Sequence, residues 1–310
     1  MLETSEIIAL RPDKNEVRRD RPYHFLHERE RGNDGELKAV NTIFLTNSEC
    51  PFKCVMCDLW KNTLDEPVKP GAVPAQISYA LERLPEAQVV KLYNSGNFFD
   101  RKAIPPADYP AIARLLDSCE RVIIENHPKL CSDACLDFKQ LLQGELEIAM
   151  GLETIHPEVL PRLNKQVTTE IFAEAADFLA RHEIESRAFV LLNPPFLTDP
   201  RENVEWAVKS VAFALECGVT ACSIIPTRAG NGAMEKLRSQ GAYVPPTINA
   251  LEEAFEQALR LGRGRIFVDL WDIEQFADCP HCLEARKQRL KKMNREQQVR
   301  PPAVCSYCNG

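Results

Sequence analysis

The sequence predicts an α/β chain whose core is a partial (βα)6 barrel of the TIM type, followed by a short cysteine-rich C-terminal extension. Three observations predict it. From residue 39 onward, short apolar runs alternate with amphipathic segments, the pattern of βα units around a buried parallel sheet. Six such runs fall between residues 39 and 226, a span suited to one barrel rather than two domains. The last 32 residues carry two Cys-x2-Cys pairs and are too few to fold without a staple.

The strands are expected at 39–46, 88–94, 121–125, 146–151, 187–193 and 221–226. Between them lie helices with start and stop signals. The clearest is 200–217, where Asp199 caps, Pro200 takes the first helical position, Glu202 completes a capping box and Gly218 ends the helix. Beyond residue 232, a helix at 248–261 behind Thr247 and an apolar run at 265–270 close one side. The expected division is an N-terminal arm (1–38), the barrel (39–232), a helix and strand packed on it (233–278) and a metal-binding tail (279–310). No internal repeat or low-complexity tract interrupts this order.

A hydrophobic share of 45% with 27% charged residues is the balance of a soluble globular protein. Residues 1–10 lack a basic start and an apolar run, and no stretch approaches the length of a membrane span. The chain is therefore expected in the cytoplasm, with no membrane partner. A net charge of -7 argues against a surface that binds nucleic acid throughout. One segment departs from this, since Arg286, Lys287, Arg289, Lys291, Lys292, Arg295 and Arg300 are opposed only by Glu284 and Glu296. Twelve cysteines without an export signal point to metal or redox chemistry rather than a disulfide framework.

Cys50, Cys54 and Cys57 follow directly on the first strand, in the first βα loop, and parallel barrels place their chemistry on such loops. A C-x3-C-x2-C loop supplies three thiolates, whereas a [4Fe-4S] cluster takes four. One iron is left open to chelate the amino and carboxylate groups of S-adenosyl-L-methionine (SAM), which sets its sulfonium beside the cluster for one-electron cleavage. A zinc knuckle fits less well, because it prefers x2 spacings and a fourth ligand. Met56, before the third cysteine, suits packing over an adenine or plain packing. Asn94, Ser95 and Gly96 end the second strand, where a glycine permits close backbone approach to a ligand. Glu153 ends the fourth strand, placed to bind ribose hydroxyls or the SAM amino group, or to cap a helix. Glu125 and His127 end the third, where either can orient substrate or move a proton; a merely packed histidine reads equally well.

The cysteine loop after a strand resembles the signature of the radical SAM superfamily. Asn94-Ser95-Gly96-Asn97-Phe98 stands where that superfamily has a Gly-rich turn holding the SAM amino group. With Glu125-Asn126-His127-Pro128 and Gly151-Leu152-Glu153-Thr154, it resembles the group containing the elongator catalytic subunit and the radical SAM subunit of archaeosine synthase. Asn164-Lys165 and Leu191-Leu192-Asn193-Pro194-Pro195-Phe196 strengthen the latter, and on it Leu192 and Asn193 join the cofactor-side residues. The resemblance covers residues 42–227. It implies a 5'-deoxyadenosyl radical acting on a tRNA nucleoside, an electron donor of the flavodoxin or ferredoxin type and a partner tRNA-modifying protein. Relatives often have an arginine where this chain has His127, and the elongator's acetyltransferase domain is absent. A radical SAM enzyme acting on a peptide or small metabolite is the alternative, and a non-catalytic metal-stapled RNA-binding protein the second.

Cys279, Cys282, Cys305 and Cys308 form C-x2-C-x22-C-x2-C. Two such knuckles suit one zinc ion; an auxiliary [4Fe-4S] cluster competes. The basic insert between them reads as a solvated helix face or as a contact to an RNA backbone. Cys131 and Cys135 read as structural or incidental.

Overall fold

The computed structural model describes residues 2–308. After a short helix α1 (Thr4–Ala9), strand β1 (His24–Arg31) runs antiparallel to β2 (Leu37–Phe44). Then come α2 (Ala72–Leu81), β3 (Val89–Tyr93), α3 (Tyr109–Leu115), β4 (Arg121–Glu125), α4 (Asp133–Leu141), β5 (Glu145–Glu153), α5 (Thr169–Arg181), β6 (Glu185–Leu192), α6 (Pro200–Glu216) and β7 (Ala221–Pro226). The chain ends with α7 (Ala233–Ser239), α8 (Ile248–Leu259), β8 (Arg265–Val268) and α9 (Leu283–Glu296). The strands form one curled sheet in chain order, parallel from β2 to β8, as a TIM-type half-barrel. Among the described residues no helix is long and apolar enough to cross a membrane.

Alternation along each strand sorts the side chains. Ile43, Leu92, Ile124, Ile148, Val190 and Ile224 face outward and are sealed by Ile77, Phe138, Phe172 and Phe255 of the helices. The other face lines the lumen. Its base is an ionic layer in which the fully buried Arg187 donates to Glu147 at 2.7 Å and Glu30 at 2.5 Å, while Arg265 donates to Glu147 at 2.9 Å. Above it lie the rings of Phe44, Tyr93 and Phe189, with centroids 6.0 and 6.1 Å apart in sequence. The mouth opens over the C-terminal strand ends.

All six expected strands form, with ends moved by a residue or two. Asp199 caps α6 by accepting from the N–H groups of Arg201 (2.8 Å) and Glu202 (3.3 Å), and Gly218 follows the helix with φ 89°. Residues 1–38 are not merely an arm, because β1 is a full member of the sheet. The charged run His-Glu-Arg-Glu-Arg reads as solvent-facing, yet Glu30 reaches across the lumen to Arg187 of β6. Residues 265–268 likewise extend the barrel itself, as β8.

The basic insert forms the 14-residue helix α9, but only part of its basic face is solvated. Arg286 and Arg289 are buried against Glu252 of α8 at 2.6 and 3.2 Å, and Arg289 also meets Glu256 at 2.5 Å. Lys287 pairs with Glu274, and Arg300 with Glu296. Lys291, Lys292 and Arg295 remain on the exposed face. On the opposite face, Asn294 and Gln297 hydrogen-bond the backbone of Val268 and Ile266, donating and accepting in both cases. These amides satisfy the outer edge of β8 as a ninth strand would.

Candidate active site

The three-cysteine loop leaves β2 at the barrel mouth and is gripped from three sides. From the segment after β5, the Leu163 carbonyl accepts from the Val55 N–H (2.9 Å), and Asn164 Nδ2 donates to the Lys53 carbonyl (2.8 Å). Ahead of α7, Asn231 Nδ2 donates to the carbonyls of Val55 (2.7 Å) and Cys57 (3.0 Å). From the turn after β3, Asn97 Nδ2 donates to Cys50 Sγ at 3.2 Å. A Cβ added to Gly96 would stand 3.4 Å from that of Cys50, so the glycine allows the turn to lie against the loop. Burial pushes the Cys54 thiol up to about 11 and raises Cys50 and Cys57 as well. Buried thiols of this kind ionise when a bound cation supplies the compensating charge.

Glu125 supports the turn from below. Its Oε1 accepts from the N–H groups of Asn94 (2.5 Å) and Gly96 (3.2 Å), and burial raises its carboxyl to about 7. Ser95, at φ 53°, exchanges a hydroxyl hydrogen bond of 2.9 Å with Tyr23. The Asn94 side chain is fully buried, and neither end of its amide has a protein partner. Thr46 Oγ1, Asn47 Oδ1 and Ser48 Oγ after β2, Asn193 Oδ1 after β6 and Thr227 Oγ1 after β7 are in the same state. Unpaired buried polar atoms are costly and scarce. Those on the neighbouring ends of β2 and β3, just ahead of and beside the cysteine loop, fit a polar ligand there, as a thiolate-bound cluster with SAM requires.

Glu153 ends β5 at φ 67°, past a shift in register, with its carboxylate 2.7 Å from Lys165 Nζ. Both side chains are nearly buried. His127 lies flat on Phe52, with ring centroids 3.8 Å apart and planes at 14°. Its Nδ1 accepts from the Lys129 N–H at 3.1 Å, which puts the proton on Nε2 facing the Lys165 carbonyl at 3.0 Å. With both nitrogens engaged by backbone, and burial lowering its pKa to about 3, the imidazole has no free site for proton transfer. Met56 is half-buried between the barrel core and the small cluster under α1 and α7. Leu192 faces the helices and is fully buried there, while the neighbouring Asn193, at φ 55°, is buried with its Nδ2 donating to the Val244 carbonyl (3.2 Å).

Tyr23, Asn97, Lys165 and Asn231 belong to the site, and the sequence reading gave them no role. The Asn164-Lys165 pair was a visible signal; Tyr23 and Asn231 lie outside every motif.

The four C-terminal thiols form a separate centre. Their sulfurs lie within 4.8 Å of one another, with Cys279 to Cys305 at 4.0 Å and Cys282 to Cys308 at 3.7 Å. The Tyr307 N–H points at Cys305 Sγ (3.4 Å), and this and the Cys308 N–H lower the Cys305 thiol to about 7. Cys282 also occupies the N-cap position of α9.

The curled, largely parallel sheet has the fold of solved structures that share little of its sequence. No protein-family model matches the chain. The chain is 27% identical over 216 residues to archaeosine synthase subunit beta of Methanosarcina acetivorans, covering 66% of this chain and 61% of that protein. It is 25% identical over 232 residues to an uncharacterized protein of Methanocaldococcus jannaschii, covering 70% and 63%. It thus spans less than two thirds of the length of either curated relative. Among solved structures, Elp3 of Methanocaldococcus infernus superposes with a TM-score of 0.50 at 16% identity, covering 64% of this chain and 51% of Elp3, a likeness of fold.

Proposed function

We propose that the chain is a radical SAM enzyme that holds a [4Fe-4S] cluster on Cys50, Cys54 and Cys57, binds SAM across the strand ends and modifies a tRNA nucleoside. The observation that carries the cofactor reading is the three-thiol loop, with Cys54 buried and Cys50 and Cys57 largely so, beside the partnerless polar atoms around Asn94. The likeness to archaeosine synthase subunit beta supports the tRNA nucleoside. A flavodoxin- or ferredoxin-type electron donor and a partner tRNA-modifying protein belong to the same reading.

When bound, the cluster and SAM supply a 5'-deoxyadenosyl radical through one-electron cleavage of the sulfonium. The chain's own residues position and shield that chemistry. Glu125 fixes the backbone of Asn94 to Gly96, so that this edge and the Asn94 amide meet the methionine end of SAM. Asn97 orients Cys50. The Lys165 ammonium adds positive charge beside thiolates that ionise together. His127 braces Phe52 and with it the first turn of the cysteine loop.

The test is anaerobic reconstitution. The protein should bind about four irons at this loop and, with dithionite, convert SAM to 5'-deoxyadenosine and methionine. Full SAM cleavage by a Cys50, Cys54 and Cys57 to Ala triple variant would overturn the reading.

For the C-terminal centre we assign one zinc ion. Four thiolates at about 2.3 Å from one metal lie about 3.8 Å apart at a tetrahedron's edges, close to the 3.7 and 4.0 Å observed. A cubane, whose thiolates bind four different irons, needs them spread wider. Metal analysis of the triple variant should find zinc alone; iron with sulfide there would replace zinc by an auxiliary cluster.

A further inference from the structure

The barrel is split between its first and last strands, and at the mouth one side chain spans the split. Trp271, just beyond β8, sets its ring 5.1 Å edge-on from His24, the first residue of β1, and 6.5 Å from Phe44 of β2. Its backbone is fixed, since the Trp271 N–H donates to Asp269 Oδ1 (3.0 Å) and Arg228 donates to its carbonyl while pairing with Asp269 at 2.8 Å. The residue nevertheless remains 49% exposed. A large flat ring held rigidly in water at the opening of an aromatic-floored chamber is an unfinished stack.

Two further groups end β6 and β7, the two strands before β8 in the sheet. Asn193 Oδ1 and Thr227 Oγ1 are buried without partners on neighbouring strand ends, which are joined by the Thr227 N–H to the Leu192 carbonyl (3.0 Å). Thr227 continues the lumen-facing series of Ser223 and Ile225, because Cys222 and Ile224 pack outward. Arg228 adds no free charge, being paired with Asp269. The complementary ligand is therefore planar and uncharged, with hydrogen-bonding groups on its edge. An extended peptide would instead seek the open edge of β8, which Asn294 and Gln297 already fill.

We propose that Trp271 is the stacking face for a nucleobase turned out of its RNA, with Asn193 and Thr227 meeting the edge of that base. The proposal rests on the tRNA reading above and deepens it. Enzymes that act on a base take it out of its helix, and an aromatic side chain receives it in the place of the lost neighbour.

The experiment titrates reconstituted full-length protein with unfractionated tRNA at low salt, following affinity and tryptophan emission together. Of the three tryptophans, Trp60 is buried beneath Arg11 and Trp206 lies against His156, so quenching on binding should come from Trp271. Trp271→Ala should weaken binding about tenfold and abolish the quenching, within the range of base stacking on an aromatic. Trp271→Phe should retain most of the affinity, which guards against a merely loosened barrel. Thr227→Val keeps the shape and removes the unpartnered hydroxyl, so binding should fall severalfold with no loss of melting temperature. Unchanged affinity in Trp271→Ala and Thr227→Val overturns the stacking site and leaves the tRNA reading standing. No tRNA binding by the native protein overturns both.

Discussion

The ammonium of Lys165 and the carboxylate of Glu153 meet at 2.7 Å in a space that exists because residue 151 is glycine. A Cβ there would fall 2.2 Å from Glu153 Oε1 and 2.4 Å from Lys165 Nζ. Burial works against the charged lysine, but Glu153, Cys54 and Cys50 offset it and leave the ammonium firmly protonated. Gly151→Ala should therefore displace the pair and cost about 1–3 kcal/mol in a urea melt, as overpacking does. Lys165→Met should cost more, about 3–5 kcal/mol, because it strands a buried carboxylate. Equal melts for Gly151→Ala and the native protein would show that the pair does not depend on this gap.

Glu125 offers a clean separation of roles. If it moved a proton, glutamine in its place would be inactive. If it holds the turn, glutamine keeps an oxygen to accept from the N–H groups of Asn94 and Gly96. We expect Glu125→Gln to retain most of the 5'-deoxyadenosine yield. Glu125→Leu should lose it along with SAM binding, since two backbone donors are left unpaired. Loss of activity in both variants with SAM binding intact would return Glu125 to the chemistry.

His127 should be visible in the pH dependence of stability. Its folded pKa, lowered to about 3 from 6.5, means that the unfolded chain takes up this proton first as pH falls. Its contribution to stability is complete above about pH 6.5 and is lost progressively toward about pH 3. Glu125, raised from 4.5 to about 7, acts in the opposite sense, stabilising fully below 4.5 and losing that contribution as pH rises to 7. Comparing His127→Asn with the native protein cancels the Glu125 contribution. The variant should show a flatter fall in stability below pH 6.5, and parallel curves would mean that His127 titrates normally.

The barrel was legible because strands buried on both faces, against helices and in the lumen, carry continuous apolar runs, as 121–125 and 221–226 do. The same logic hid β1, whose lumen-facing residues are charged. Glu30 has its partner 157 positions away in sequence, at Arg187, and no local pattern announces such a pairing. The two cysteine groups were legible from spacing alone. The backbone hydrogen bonds of Glu125 and His127 were not, since a residue at a strand's C-terminal end reads the same whether it faces ligand or backbone. The Leu192 side chain packs outward among the helices, and no local pattern shows which side of the sheet the left-handed Asn193 beside it takes. In α9, the charge count was right, but Arg286 and Arg289 face Glu252 and Glu256, four residues apart on α8.

The C-terminal metal centre should hold the barrel closed at β8. Cys282 is both a thiol of that centre and the N-cap residue of α9, and α9 carries Asn294 and Gln297 to the backbone of Val268 and Ile266 at 2.7–2.9 Å. Removing the metal frees the start of the helix and hence its hold on the edge strand. Chelation of the native protein, or Cys305→Ser, should lower the melting temperature and speed amide exchange at Ile266 and Val268. Iron bound at Cys50, Cys54 and Cys57 should be retained, because that loop is held by Asn97, Asn164 and Asn231 rather than by α9. Asn294→Leu with Gln297→Leu should reproduce the faster exchange with the metal still bound, and the exposed edge should favour self-association. Slow exchange at both amides after the metal is gone would show that α9 holds β8 through Arg286, Arg289 and their carboxylates alone, with the thiol centre serving only the tail beyond it.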